Sequence, residues 1–152
     1  MITIVAIGVV VALAAGFVAW RLRVQRPPAP PPRDAYPIPR QLRRGDFPRA
    51  DAAWLVAYFS SATCASCQGL GPKVAVLEST EVATCELSFE GARSVHDRYE
   101  IEAIPMILVA DAGGVVQRAF VGATTATDLW AAVAEVRAPG STPESGLGAI
   151  SD

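Results

Sequence analysis

The chain has three cysteines and a single histidine in 152 residues. Three cysteines exclude a disulfide-stapled scaffold, which pairs several cysteines and leaves none over. No segment repeats at a fixed period, so a solenoid or a repeat array is excluded as well. Charge is absent from the first twenty positions. The length accommodates one domain and little more.

The charge that is present is unevenly spread. Residues 21–50 carry eight Arg and two Asp, a net of +6, and residues 51–152 carry five basic and thirteen acidic side chains, a net of −8. With nothing from the first twenty residues, these sum to the overall −2, so near neutrality conceals three zones.

The uncharged zone, Ile2 to Trp20, is apolar for nineteen residues apart from Thr3. About twenty such residues cross a bilayer core as a helix. Trp20, followed by Arg21 and Arg23, suits an interfacial anchor. A cleaved signal peptide needs basic residues before the apolar run and a small-residue cleavage site after it. Here no Lys or Arg precedes the run. A buried helix of a soluble domain shows a polar face, and this one has none. The expectation is a retained, single-pass anchor over residues 1–21. Basic residues flank it only on the C-terminal side, which places the remainder of the chain in the cytoplasm by the positive-inside rule. The extracytoplasmic orientation is the alternative.

Residues 22–48 read as a Pro/Arg-rich linker. Eight of the twelve prolines fall within residues 21–50, including the run RPPAPPPR from Arg26 to Arg33. Such a run favours extended polyproline II and acts as a semi-rigid stalk. Its arginines suit anionic lipid head groups. Residues 139–152 are small and polar and read as a disordered tail. This leaves one domain over residues 49–138.

Within that domain, WLVAYF (54–59) fits a strand buried on both faces, as in a parallel sheet. Gly69, Gly71 and Pro72 weaken a helix directly after the cysteine segment, and KVAVLE (73–78) is the expected helix beyond them, opened or kinked by Pro72. VATCELSF (82–89) alternates, with Ala83, Cys85, Leu87 and Phe89 on one face and Thr84, Glu86 and Ser88 on the other. A short helix is expected over Ala92–Tyr99, with Ala92, Val95 and Tyr99 on one side. PMILVA (105–110), the turn signal DAGG (111–114) and VVQRAFV (115–121) form a hairpin. Thr125 and Asp128 have capping-box spacing, and Leu129, Val133 and Val136 follow as an amphipathic stripe. The order implies an α/β sheet with a parallel part and an antiparallel edge, flanked by helices.

The matching features are Phe59, the CASC segment from Cys64 to Cys67, Tyr99, Ile104, Pro105, the DAGG turn, Gly122 and Leu129. With these, the stretch over about residues 50–137 resembles the thioredoxin family. Pro105, forty-one residues after Cys64, makes the C-x-x-C motif fairly specific. The resemblance implies a thioredoxin-like fold and a cis Ile104–Pro105 bond beside the cysteines. It also implies a thiol–disulfide oxidoreductase whose partner is a protein thiol or disulfide, docked over Thr63, Ile104 and Pro105. Several positions depart from the family pattern. Thr63 stands where Trp is usual and Ala-Ser separates the cysteines. Tyr58 and Glu86 fall where a buried acid and its Lys partner are usual, and Met106 follows Pro105.

Only a thiolate attacks a disulfide, and a helix N-terminus lowers a thiol pKa. Cys64, just after the strand and at the expected helix start, is the candidate nucleophile. Cys67, about one turn on, is the candidate resolving thiol. No organic cofactor, resident metal or nucleic-acid partner is expected. Zinc held by Cys64, Cys67, Cys85 and His96 is the alternative for the cysteines, although C-x2-C-x17-C-x10-H is not a common finger spacing. Cys85 on an apolar face reads as a buried structural thiol. His96 beside Asp97 reads as solvated. A purely structural disulfide leaves one cysteine unpaired. A non-catalytic, membrane-tethered interaction module of the same fold also remains open.

Overall fold

A computed structural model of the chain describes residues 36–140. The expected anchor over 1–21, most of the linker and all but the first two residues of the tail lie outside the described residues. Among the described residues, no helix is long and apolar enough to cross a membrane.

The fold is built around β1 (Trp54–Ser60), whose last six residues are buried. A strand apolar on both faces is stable only with neighbours on both sides and layers above and below. β2 (Val82–Ser88) pairs with it in parallel, with Tyr58 opposite Glu86. β3 (Met106–Asp111) pairs with its other side antiparallel, and β4 (Val116–Val121) closes the hairpin. The order β2-β1-β3-β4 is the mixed α/β sheet expected from the sequence. Its parallel pair occupies one edge, and the remaining pairings are antiparallel.

The two faces of β1 bury different partners. Leu55, Ala57 and Phe59 pack with Ala83, Leu87, Met106, Leu108 and Ala110. This face is closed by α2 (Arg93–Arg98) and its flanking residues Ala92 and Tyr99. Val56 and Tyr58 pack with Ile107 and Val109 on the other side. There α1 (Leu70–Ala75) contributes Leu70 and Val74, and α3 (Ala126–Arg137) contributes Leu129 and Val133. Each large apolar side chain buried in this way contributes about 1.5–3 kcal/mol of transfer free energy.

Thr125 caps α3 through the spacing to Asp128 read from the sequence. Thr125 Oγ1 accepts from the Asp128 amide at 3.1 Å, and its hydroxyl donates to Asp128 Oδ2 at 2.7 Å. α1 differs from the expected 73–78: it starts and ends three residues earlier. Gly71 and Pro72 are its second and third residues, where amides have no intrahelical acceptor, so the missing proline N–H removes no bond.

The N-terminal boundary also differs. The segment before residue 49, read as linker, carries Leu42 and Phe47 into the core at 1% and 6% exposure. The Leu42 amide donates to Gly114 O at 2.8 Å. Gly114 has φ +83°, and a Cβ there would stand 2.0 Å from Leu42 O, so no other residue fits. Arg44 is buried and donates to Asp111 O and Arg49 O, both at 3.0 Å. Proline and arginine dominate the composition and mask the two apolar residues that dock this segment.

His96 is buried, not solvated as its sequence neighbours suggested. Its exposure is 2%, and its Nε2 lies 2.9 Å from Leu87 O, to which it donates. Phe59 and Phe89 meet its ring edge-on, at centroid distances of 5.1 and 5.5 Å. Cys85 does face the core beside Ala83 and Leu87, but it is only half-buried because β2 is an edge strand.

Candidate active site

β1 delivers the chain to a tight loop. The Cys64 amide donates to Ser61 O at 3.1 Å, closing a turn over Ser61–Thr63. Glu90 anchors this turn: its carboxylate accepts from Ser61 Oγ at 2.7 Å and from the Ala62 amide at 3.1 and 3.2 Å. The Ser61 hydroxyl is the largest of the contacts that hold Glu90 below the usual carboxylate range. Ser61 Oγ also meets Thr63 Oγ1 at 3.1 Å, and Thr63 itself is exposed.

Cys64 and Cys67 are joined as a disulfide, with Cα atoms 5.3 Å apart. Cys67 is 8% exposed and belongs to the second core cluster, whereas Cys64 is half-buried and packs at the edge of that cluster. The sulfur open to a partner is therefore that of Cys64. The helix expected to start at Cys64 is only a 3₁₀ turn, Ala65–Cys67. Gln68 is extended, Gly69 has φ +76°, and α1 begins afresh at Leu70. A macrodipole needs several aligned peptide units, so this turn provides less thiolate stabilisation than a continuous helix. The break lies at extended Gln68 and at Gly69, whose positive φ interrupts the helix.

Ile104–Pro105 is a cis peptide bond. Pro105 is fully buried, and its carbonyl accepts from the Gly122 amide at 2.8 Å. Ile104 packs against both core clusters, the second of which contains Cys67 and borders Cys64. The fold thus brings Cys64, Cys67 and Ile104 to one cluster, with Thr63 on the loop leading into the pair.

Below the disulfide lies Tyr58, fully buried, whose hydroxyl donates to Cys67 O at 2.9 Å. Burial, and then the Glu86 carboxylate, push its pKa up, so it is a donor and not a proton acceptor at neutral pH. The carboxylate on this face belongs to Glu86, the register partner of Tyr58. Buried Ser60 donates to Glu86 Oε1 at 2.8 Å, and Glu86 Oε2 lies 2.9 Å from where a Cβ on Gly71 would stand. Gly71 therefore leaves room for the carboxylate against α1. Cys85 faces away on the opposite side of β2. Its thiol pKa is raised by burial first and Glu86 second, which disfavours its thiolate.

Among the described residues, no group of three or more His, Cys, Asp or Glu side chains is arranged to hold a metal ion. His96, the proposed fourth zinc ligand, is committed to Leu87 O.

A family model described as Thioredoxin matches residues 47–135, more than half of the chain. The chain belongs to the thioredoxin family. Its solved structural neighbours include the germline-specific thioredoxin Deadhead from Drosophila melanogaster, with 19% identity and a TM-score of 0.50 over 57% of this chain and 84% of that one. Another is a malarial protein, with 14% identity and a TM-score of 0.50 over 55% of this chain and 96% of that one. At these identities the likeness speaks for the fold. No curated protein matches the chain. Within this thioredoxin-family domain, sequence reasoning singled out Cys64, Cys67 and, by resemblance, the cis proline, but missed Ser60 and Glu90, whose partners Glu86 and Ser61 are distant in the chain. Glu86 was legible in part: the alternation of β2 already set it on the face opposite Cys85.

Proposed function

We propose that this thioredoxin-family chain is a membrane-anchored thiol–disulfide oxidoreductase acting on protein thiols and disulfides through Cys64 and Cys67. The observation that supports it best is the disulfide itself, with one shielded sulfur and one accessible sulfur 5.3 Å apart at Cα. In the reducing direction, the Cys64 thiolate attacks a partner disulfide to form a mixed disulfide and expel a partner thiolate. Cys67 then attacks Cys64 Sγ, closes the internal bridge and releases the second thiolate. Two electrons pass from the dithiol to the partner. Thr63 and Ile104 dock the extended partner segment, and Pro105, which is fully buried, follows directly on Ile104 through the cis bond. Anchoring rests on the apolar run Ile2–Trp20, and the cytoplasmic side on the arginines that follow it.

Disulfide reduction with insulin as the probe tests the chemistry. Wild type is expected to reduce insulin and Cys64→Ser is not; equal, negligible rates would overturn the oxidoreductase reading. They would favour a tethered interaction module, which Tyr58 in place of an acid also motivates. Labelling of Cys64 in intact cells with a membrane-impermeant thiol reagent tests the side. Protection until lysis is expected, and full labelling of intact cells would reverse the orientation.

A further inference from the structure

The 3₁₀ turn leaves the nucleophile short of the stabilisation a continuous helix provides, yet an attacking sulfur must be a thiolate near neutral pH. A second source of stabilisation lies within the turn. Ser66 Oγ is 3.4 Å from Cys64 Sγ. Among the described residues, it is the hydrogen-bonding side chain at that sulfur, and Ser66 Oγ makes no other hydrogen bond. Ser66 is exposed, so its hydroxyl rotates without strain. The contact is also asymmetric. Cys67 is buried among apolar side chains and has no hydroxyl at its sulfur, while its carbonyl is taken by Tyr58.

We propose that the Ser66 hydroxyl is a catalytic group of this site: once the disulfide is opened, it donates a hydrogen bond to Cys64 Sγ and holds that sulfur as the thiolate. The inference rests on the dithiol reading above. In the disulfide, Cys64 Sγ is a weak acceptor. Two external thiols reduce the bridge and are themselves oxidised to a disulfide. The S–S bond breaks, Cys67 takes one of their protons, the other passes to solvent, and Cys64 carries the negative charge. A charged acceptor strengthens the bond roughly twofold relative to a neutral one. The bond therefore favours the thiolate over the thiol and the reduced site over the oxidised one. It weakens when Cys64 Sγ forms the mixed disulfide, stays weak in the internal disulfide that Cys67 closes as the partner leaves, and strengthens again once external thiols restore the dithiol.

The test is the pH profile of alkylation of the reduced full chain, with the modified cysteine located by mass spectrometry, in wild type, Ser66→Ala and Ser66→Thr. Removing one donor from a partly exposed thiolate raises its pKa by about one unit. Intrinsic thiolate reactivity rises with pKa at a Brønsted slope of about 0.4–0.5, so the profiles cross. Below both inflections Ser66→Ala reacts about threefold more slowly at Cys64, and above them about threefold faster. Ser66→Thr retains the hydroxyl and follows wild type. A purely structural role would scale the whole profile without moving its inflection. An Ser66→Ala inflection coincident with wild type, or Ser66→Thr shifted as far as Ser66→Ala, would overturn the proposal. Alkylation reads the thiolate whether or not the protein exchanges disulfides. Failure to reduce insulin would therefore count against the oxidoreductase reading alone, and an unshifted inflection against Ser66 alone.

Discussion

The two faces of β1 are built from alternating residues of one strand but differ in chemistry. On the Leu55–Ala57–Phe59 face the partners are largely apolar, and the buried His96 ring is fully engaged between Phe59, Phe89 and Leu87 O. On the Val56–Tyr58–Ser60 face the apolar packing gives way at one end to Tyr58, Ser60 and Glu86, beneath the disulfide. One face is specialised for stability. The other carries polar groups at the end of the strand where a reactive pair must be presented.

Substitutions can break this division, beginning with the largest effect. Phe59→Ala removes a ring from the apolar face and is expected to cost about 3–5 kcal/mol in chemical denaturation. A loss below about 1 kcal/mol would show that this face is not the main source of stability. His96→Leu leaves Leu87 O without its donor and is expected to cost about 1–3 kcal/mol while sparing the reduced dithiol's chemistry at temperatures where the variant remains folded. Tyr58→Phe removes the bond to Cys67 O from the other face. A stability loss of about 0.5–1.5 kcal/mol is expected, together with a change in disulfide-reduction rate. An altered rate on His96→Leu but not on Tyr58→Phe would reverse the assignment of the faces.

The smallest effect concerns the rim of the apolar face. Asp46 accepts from Tyr99 Oη at 2.6 Å and pairs with Arg98 at 2.6 Å. Hydrogen bonds from Arg98 first and Tyr99 second hold its carboxyl below the ordinary value. A lowered folded-state pKa stabilises the fold above the unfolded value, near pH 4, and that contribution is lost as pH falls through the lower folded value. Wild type should therefore exceed Asp46→Asn in stability at neutral pH. The gap should close on acidification below about pH 4. A gap independent of pH would show that the carboxylate charge is irrelevant.

Elements defined by local periodicity were legible in the sequence. WLVAYF, the alternation of VATCELSF, the DAGG hairpin and the Thr125–Asp128 cap each depend on neighbours a few residues away. The cis Ile104–Pro105 bond and the pairing of Cys64 with Cys67 followed from resemblance. What escaped depends on distant partners. His96 looked solvated beside Asp97 because the two phenylalanines that enclose it lie elsewhere in the chain. Leu42 and Phe47 were hidden among arginines because their acceptor and cavity are formed by the Gly114 turn and α2. The α1 boundary differs because Pro72 falls in the first turn, where its missing N–H costs no bond, a position set by the break at Gly69.

The most direct measurement of the central claim is capture of the mixed disulfide. Reduced full-length Cys67→Ser is mixed with insulin, and the cross-linked cysteine is identified by mass spectrometry under non-reducing conditions. Attack by the accessible sulfur predicts a stable adduct on Cys64 that is absent from Cys64→Ser. No adduct on Cys64, or one forming equally fast on Cys67 in Cys64→Ser, would contradict it.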